Sequence, residues 1–110
     1  MTTENNKDNV LDRDPILKKD MKVDKPRQWK TLFLNDDWTT IEYVVSALQR
    51  HYKHSLEEAN KLAMEVHANG NAVVYISNFE IAETKAFEVM QEAKTKEFPL
   101  QVAIQPIKPD

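Results

Sequence analysis

The 110-residue sequence contains no cysteine and only one glycine, Gly70. Without cysteine the chain cannot form disulfides, thiolate zinc sites or a cysteine nucleophile. A single glycine also excludes a glycine-rich loop for binding phosphate. The few serines mostly lie where helices need caps. We therefore expect a protein that is not an enzyme and that uses no cofactor.

Long hydrophobic runs and basic clusters are missing as well. No run of about eighteen apolar residues occurs and the chain does not start like a secretion signal, so we expect no membrane span and a cytoplasmic location. The net charge is −3 at pH 7. Lysine and arginine do not alternate with aromatic residues, which argues against nucleic acid as the main partner.

The chain divides into two parts of different composition. Residues 1–27 mix charges of both signs with scattered apolar residues at no sustained period, which is typical of a flexible arm. Pro26 is a plausible boundary, because proline disfavours helix in the residue before it. Residues 28–110 are long enough for one hydrophobic core and therefore one domain.

Hydrophobic periodicity within 28–110 predicts the order β-α-α-β-α-β. Strands are expected at 28–34, 72–76 and 100–104, and helices at 41–52, 56–69 and from 81 towards 96. This is an α+β fold with three helices packed against a small three-stranded antiparallel sheet. The run at 72–76 suits either a central strand covered on both faces or a strand with one weakly polar face.

Capping patterns predict where the helices begin. Three serine or threonine residues each precede a glutamate by three positions, the spacing of a capping box: Thr39 with Glu42, Ser55 with Glu58, and Ser77 with Glu80. Gly70 marks the end of the second helix, since glycine readily adopts the left-handed conformation that closes one.

The turn after the first strand carries more acceptors than folding requires. Asn35, Asp36 and Asp37 follow the apolar run that ends at Leu34. Asparagine and aspartate are common turn residues, so turn chemistry alone explains them for an arbitrary chain. The alternative interpretation is a site for a cationic group beside an apolar pocket.

The histidines offer weaker signals. His51 and His54 lie near Glu57 and Glu58, but their spacing matches no known zinc site, and a solvated loop is the better interpretation. His67 lies in the last turn of the second predicted helix, where the helix dipole favours a histidine. We predict no metal site.

Four segments together resemble the ClpS family of protease adaptors. They are Leu34-Asn35-Asp36-Asp37-Trp38-Thr39, Ala59 to Gly70 ending in Val66-His67-Ala68-Asn69-Gly70, Ala82-Glu83-Thr84-Lys85, and Phe98-Pro99-Leu100. The resemblance covers residues 29 to about 105 without obvious gaps. It implies a protein that binds the N-terminus of proteins beginning with Leu, Phe, Tyr or Trp and delivers them to an AAA+ unfoldase of the ClpA or ClpC type, which feeds the ClpP peptidase.

The resemblance also implies site residues. By position in the family pattern, the α-amino group of the substrate would be held by Asn35, Asp36 and His67. Its side chain would enter a hydrophobic pocket formed by Ile41, Val44, Ala63, Val66 and Leu100. Glu80 and Lys85 match positions that contact the N-terminal domain of the unfoldase, although a solvated charged pair explains them equally well. The arm would engage the unfoldase during delivery, and we expect a monomer.

The chain departs from the family pattern at the pocket. Where members commonly have methionine, this chain has Ile41 at the rim and Ala63 on the second helix, and Thr40 replaces a common proline. Isoleucine is stiffer than methionine and alanine leaves more room, so the preference among the four N-terminal residues stays open. The alternative function is a protein–protein docking domain of ribosomal-stalk-like fold, without N-terminal selectivity.

Overall fold

A computed structural model describes residues 27–108. Its strands are β1 (Trp29–Leu34), β2 (Asn71–Ser77) and β3 (Gln101–Pro106), and its helices are α1 (Ile41–Tyr52), α2 (Leu56–Asn69) and α3 (Phe79–Thr95). The predicted β-α-α-β-α-β order and the α+β class are confirmed. Most of the predicted arm lies outside the described residues. Within the described part, no helix is long and apolar enough to cross a membrane.

The sheet is antiparallel and has β1 in its centre, in the order β2-β1-β3. The interpretation of 72–76 as a central strand is therefore wrong. Strand β2 is an edge strand, and Val73 and Ile76 on it are exposed. The register shifts between Thr31, opposite Tyr75, and Leu32, opposite Val73, so β2 carries one extra residue there.

The helices cover one face of the sheet and enclose the core. Phe33 of the central strand is fully buried, together with Leu48 of α1 and Val89 of α3. Every helix also buries alanine against the rest of the core, which lets backbones approach closely: Ala47, Ala59, Ala63, Ala82, Ala86 and Ala93.

Two of the three predicted helix caps are displaced by one residue. The side chain of Thr40, not Thr39, accepts a hydrogen bond from the N–H of Tyr43, whereas the Thr39 hydroxyl donates to Asp36 within the turn. Asn78 caps α3 by accepting from Ile81. Ser77 cannot do so, since it is the buried last residue of β2.

The remaining cap and the helix end agree with the sequence. Ser55 caps α2 by accepting from the N–H of Glu58, as predicted. Gly70 ends the helix in the left-handed conformation at φ 89°, and its N–H donates to the carbonyl of Val66. Residues with a side chain rarely adopt this φ, so glycine suits the position.

A cluster of polar side chains joins α1 to α3. Glu92 of α3 accepts hydrogen bonds of 2.8 Å from both terminal nitrogens of Arg50 and one of 2.7 Å from the hydroxyl of Tyr43. His51 Nε2 lies 3.2 Å from the same carboxylate. The arginine fork and the other donors hold the pKa of Glu92 well below its usual range, although partial burial opposes them. Burial, followed by the bond to Glu92, raises the pKa of Tyr43.

Candidate functional site

A backbone hydrogen bond joins the turn after β1 to the end of α2. The N–H of Asn35 donates to the carbonyl oxygen of Gly70 over 2.9 Å. The left-handed conformation of Gly70 ends the helix and starts β2, which pairs with β1 from Asn71 onward. Asn35 and the last turn of α2, which carries His67, are therefore held side by side although they are far apart in sequence.

Asp36 organises the turn itself. Its Oδ1 accepts from the N–H of Trp38 at 2.8 Å and from the N–H of Thr39 at 2.7 Å. Its Oδ2 accepts from the Thr39 hydroxyl at 2.7 Å. A carboxylate offers about four lone-pair sites, so these three bonds leave capacity for a further donor. Asp36 thus shapes the turn and remains an acceptor.

The environment keeps Asp36 ionised. Partial burial raises the pKa of its carboxyl, but the hydrogen bonds from Thr39 N–H, the Thr39 hydroxyl and Trp38 N–H together outweigh burial and lower it. The charged form is therefore favoured near neutral pH, where it can attract a cation.

A cavity of about 220 Å³ lies between this turn, α1 and α2. One wall is polar and comes from the turn and the last turn of α2, whereas the other is apolar and comes from α1 and α2. The lining residues are Asn35, Asp36, Asp37, Thr39, Ile41, Val44, Ala63, Val66 and His67. A cavity with an apolar wall and convergent polar groups is the usual form of a small-ligand site.

The structure brings together seven of the eight residues predicted for the amine and the side chain of the substrate. The exception is Leu100, which precedes β3, is buried in the core and does not line the cavity. Val44, Ala63 and Val66 are buried, and Ile41 and His67 are exposed. The cavity therefore has a fixed floor and an accessible mouth.

Two lining residues, Asp37 and Thr39, were not among those assigned to the amine or the side chain of the substrate, although Asp37 belongs to the acceptor-rich turn noted in the sequence. Thr39 was assigned to a helix cap, but its backbone and hydroxyl both bind Asp36. The signal for this role is an aspartate three positions before a threonine, which is typical of a turn closed by its own side chain. Asp37 adds a second carboxylate to the polar wall.

The predicted partner residues Glu80 and Lys85 lie elsewhere. They line a surface depression of about 350 Å³ along the first turns of α3, together with Ile81, Thr84 and Glu88. The Nζ of Lys85 donates to the carbonyl of His51 at 2.7 Å and lies about 6 Å from the ring of Tyr75. Lys85 thus also binds the end of α1, and the two residues are not a simple solvated pair.

The histidines that were weighed as metal ligands contact different partners. His51 faces Glu92, whereas His54 Nε2 lies 2.7 Å from the carbonyl oxygen of Val74 and donates to it. Val74 is the extra residue at the register shift of β2. Across residues 27–108, no three side chains of the metal-binding types are grouped closely enough to hold an ion.

Comparison with known proteins adds to this geometry. The profile of the family described as "ATP-dependent Clp protease adaptor protein ClpS" matches residues 24–103. The ClpS adapter of Rhodospirillum centenum is 38% identical over 90 residues, covering 82% of this chain and 83% of the relative. The adapter of Desulfatibacillum aliphaticivorans is 38% identical over 93 residues, covering 84% and 89%.

A solved structure agrees with the sequence relatives. It is Agrobacterium tumefaciens ClpS2 bound to L-phenylalaninamide, which superposes with a TM-score of 0.73 at 35% identity and covers 76% of this chain and 100% of that one. The family match spans most of the chain, and the fold agrees with it. An adaptor family also accounts for the lack of catalytic motifs, so the prediction that the protein is not an enzyme is confirmed. The chain belongs to the ClpS family of ATP-dependent Clp protease adaptor proteins.

Proposed function

We propose that this adaptor binds proteins whose N-terminal residue is Leu, Phe, Tyr or Trp and delivers them to a ClpA- or ClpC-type AAA+ unfoldase for degradation by ClpP. One observation carries the proposal. The cavity between the turn and α2 places acceptors from Asn35, Asp36 and His67 beside an apolar wall. An N-terminal residue with a large apolar side chain presents an ammonium group and a hydrophobic group at the same carbon.

The polar wall suits a free α-amino group. An α-amino group has a reference pKa of about 7.7–8.0, so a large share of it is an ammonium with three donors at neutral pH. Asp36 supplies a carboxylate that the turn keeps ionised, and the side-chain oxygen of Asn35 is a second acceptor. His67 accepts only while its imidazole is neutral. Charge-assisted hydrogen bonds of this kind contribute about 1.5–3 kcal/mol each.

The apolar wall suits the side chain of the first residue. Val44, Ala63 and Val66 are buried and line the cavity without a polar atom in their side chains. Burial of a Leu or Phe side chain contributes about 1.5–3 kcal/mol. Micromolar binding requires about 8 kcal/mol, which is more than burial of the side chain contributes. Association also costs at least about 4 kcal/mol, so the hydrogen bonds to the amine do not reach this value alone and both parts must bind together.

The ligand of the Agrobacterium relative has the same chemistry. L-phenylalaninamide, named in that structure, carries a free α-amino group and a benzyl side chain. It therefore resembles an N-terminal phenylalanine residue. This chain shares the fold of that protein and has acceptors and apolar residues around one cavity, which supports the transfer of such a ligand class to it.

The proposed contact with the unfoldase lies on a different surface. Glu80 and Lys85 on α3 line a depression that shares no residue with the cavity, so substrate and unfoldase could bind at once. The arm, residues 1–27, would engage the unfoldase during delivery. We propose a monomer that acts in the cytoplasm.

The test is binding of fluorescent peptides that begin with Leu, Phe, Tyr or Trp, compared with N-acetylated copies. We expect the free peptides to bind and acetylation to weaken binding by roughly 100-fold or more, because an amide cannot replace an ammonium. Equal binding of both forms would refute the proposal. A docking domain without N-terminal selectivity would instead lose binding on substitution of Glu80 or Lys85 on α3. Substitution of Asn35 or Asp36 in the turn would leave the binding of such a domain unchanged.

A further inference from the structure

Three exposed apolar side chains either line the cavity or are close in sequence to residues that line it. Ile41 lines the cavity, and 38% of it is exposed. Met64 is 52% exposed, follows the lining residue Ala63 and lies one turn before His67 on α2. Trp38 is 71% exposed and sits in sequence between the lining residues Asp37 and Thr39. We call Trp38, Ile41 and Met64 the apolar rim.

Trp38 is the most informative member of the rim. It is the most exposed large hydrophobic residue within 27–108, and its ring joins none of the aromatic pairs found there. The fold therefore does not use its side chain. Its backbone is nevertheless fixed, because its N–H donates to Asp36 at 2.8 Å. A ring on a fixed backbone loses little entropy when it contacts a ligand.

The size of the cavity decides what reaches the rim. Its volume of about 220 Å³ lies below the roughly 300–1,000 Å³ of pockets that enclose drug-sized ligands. It can take one side chain with its amino group, and the polar wall holds that amino group at the turn. The next residue of the peptide must then lie outside the cavity, where Ile41 of the apolar rim is exposed.

We propose that the apolar rim, and Trp38 above all, is a second subsite that favours peptides with a large apolar or aromatic second residue. The inference rests on the proposed function, since it needs the first residue in the cavity. The occupant is the second side chain of the same substrate, because Ile41 of the rim lines the cavity itself and Trp38 lies between the lining residues Asp37 and Thr39 in sequence. Its apolar surface would otherwise remain in contact with water.

The experiment measures the dissociation constants of two peptides that differ only in their second residue, Leu-Phe and Leu-Ser, followed by one common neutral sequence. We expect the wild-type protein to prefer Leu-Phe by roughly 5- to 10-fold. In Trp38→Ala the ratio should fall below about twofold, and in Trp38→Phe, which keeps an aromatic ring, much of it should return. Phe87→Ala is the matched control, because Phe87 is also an exposed aromatic residue, at 61%, and lies on α3 without lining the cavity.

The outcomes separate this inference from the function on which it rests. If wild type binds both peptides equally while acetylation abolishes binding, the second subsite is refuted and N-terminal recognition stands. The second subsite is also refuted if the preference for Leu-Phe over Leu-Ser persists in Trp38→Ala. If acetylated peptides bind as well as free ones, both proposals fail. A ratio that falls equally in Phe87→Ala also contradicts the assignment to the rim.

Discussion

The N–H of Asn35 donates a 2.9 Å hydrogen bond to the carbonyl oxygen of Gly70, and this bond joins the two halves of the site. Asn35 opens the turn that carries Asp36, and Gly70 closes the helix that carries His67. Strand β1 precedes the turn, strand β2 follows α2, and the two strands are paired. The acceptors on the turn and on α2 therefore meet at one cavity. Asp36 and Ala63 line this site, whereas Lys85 and Glu92 of α3 bind α1, and a substitution at each has a distinct expected outcome.

Asp36→Asn should weaken peptide binding roughly 10- to 100-fold while leaving the fold intact. The asparagine oxygen can still accept from the N–H groups of Trp38 and Thr39, as Oδ1 of Asp36 does. Only the negative charge and one acceptor are lost. Peptide affinity and the melting temperature, measured on the same preparation, check this. A drop in the melting temperature as large as that of a core mutation would show that the charge serves the fold.

Ala63→Met should narrow the cavity and shift its preference towards smaller first residues. Ala63 is buried and lines the apolar wall, so a longer side chain must enter the space that the ligand uses. We expect affinity for peptides beginning with Trp to fall several-fold more than affinity for those beginning with Leu. Ala68→Met, an exposed position on the same helix, is the control. Equal losses for Trp and Leu peptides would contradict this role of Ala63.

Lys85→Ala should destabilise the protein. Its Nζ donates to the carbonyl of His51 near the end of α1 and lies 5.8 Å from the ring of Tyr52. Loss of a charge-assisted bond and a cation–π contact should lower the free energy of unfolding by about 1–2 kcal/mol. For a domain of this size, each kcal/mol lowers the melting temperature by roughly 4–8 °C. Lys94→Ala, at an exposed position on α3, should have little effect. Identical melting temperatures for the two variants would contradict a stabilising role of Lys85 in the fold.

Glu92→Gln should lower the free energy of unfolding at neutral pH. It should also make that free energy less sensitive to acid than in wild type. The pKa of Glu92 is lowered from an ordinary 4.5, first by Arg50, so its contribution is fully present above pH 4.5 and is lost as the pH falls towards the lower value. Wild type should exceed the variant by about 1–2 kcal/mol at pH 7, and the gap should shrink at pH 2.5. Urea unfolding at both pH values measures it. A constant gap would exclude the carboxylate charge as the cause.

The sequence predicted the fold because the fold depends on local patterns, and apolar periodicity located all six elements. The acceptor-rich turn allowed a cationic site beside an apolar pocket only as an alternative to ordinary turn chemistry, and the resemblance to the ClpS family supplied the residues around the cavity. The family resemblance supplied the contribution of His67, which comes from a helix far from the turn in sequence. No local pattern could have joined these two segments.

Features that depend on competition between neighbouring groups were not predictable in the same way. Thr39 and Thr40 are both good caps, and in the structure the Thr39 hydroxyl binds the carboxylate of Asp36 while Thr40 caps α1. The edge position of β2 depends on which strand lies in the centre, and a short β-branched run does not encode this. The contacts of Glu92 with α1 likewise join residues more than forty positions apart.

Binding of three small amides tests the central claim most directly, namely that Asn35, Asp36 and His67 hold an α-amino group while the apolar wall holds the side chain. They are L-phenylalaninamide, 3-phenylpropanamide, which lacks only the amino group, and glycinamide, which lacks only the side chain. Calorimetry should detect binding of the first and at least roughly 100-fold weaker binding of the other two. Equal binding of L-phenylalaninamide and 3-phenylpropanamide would contradict the account.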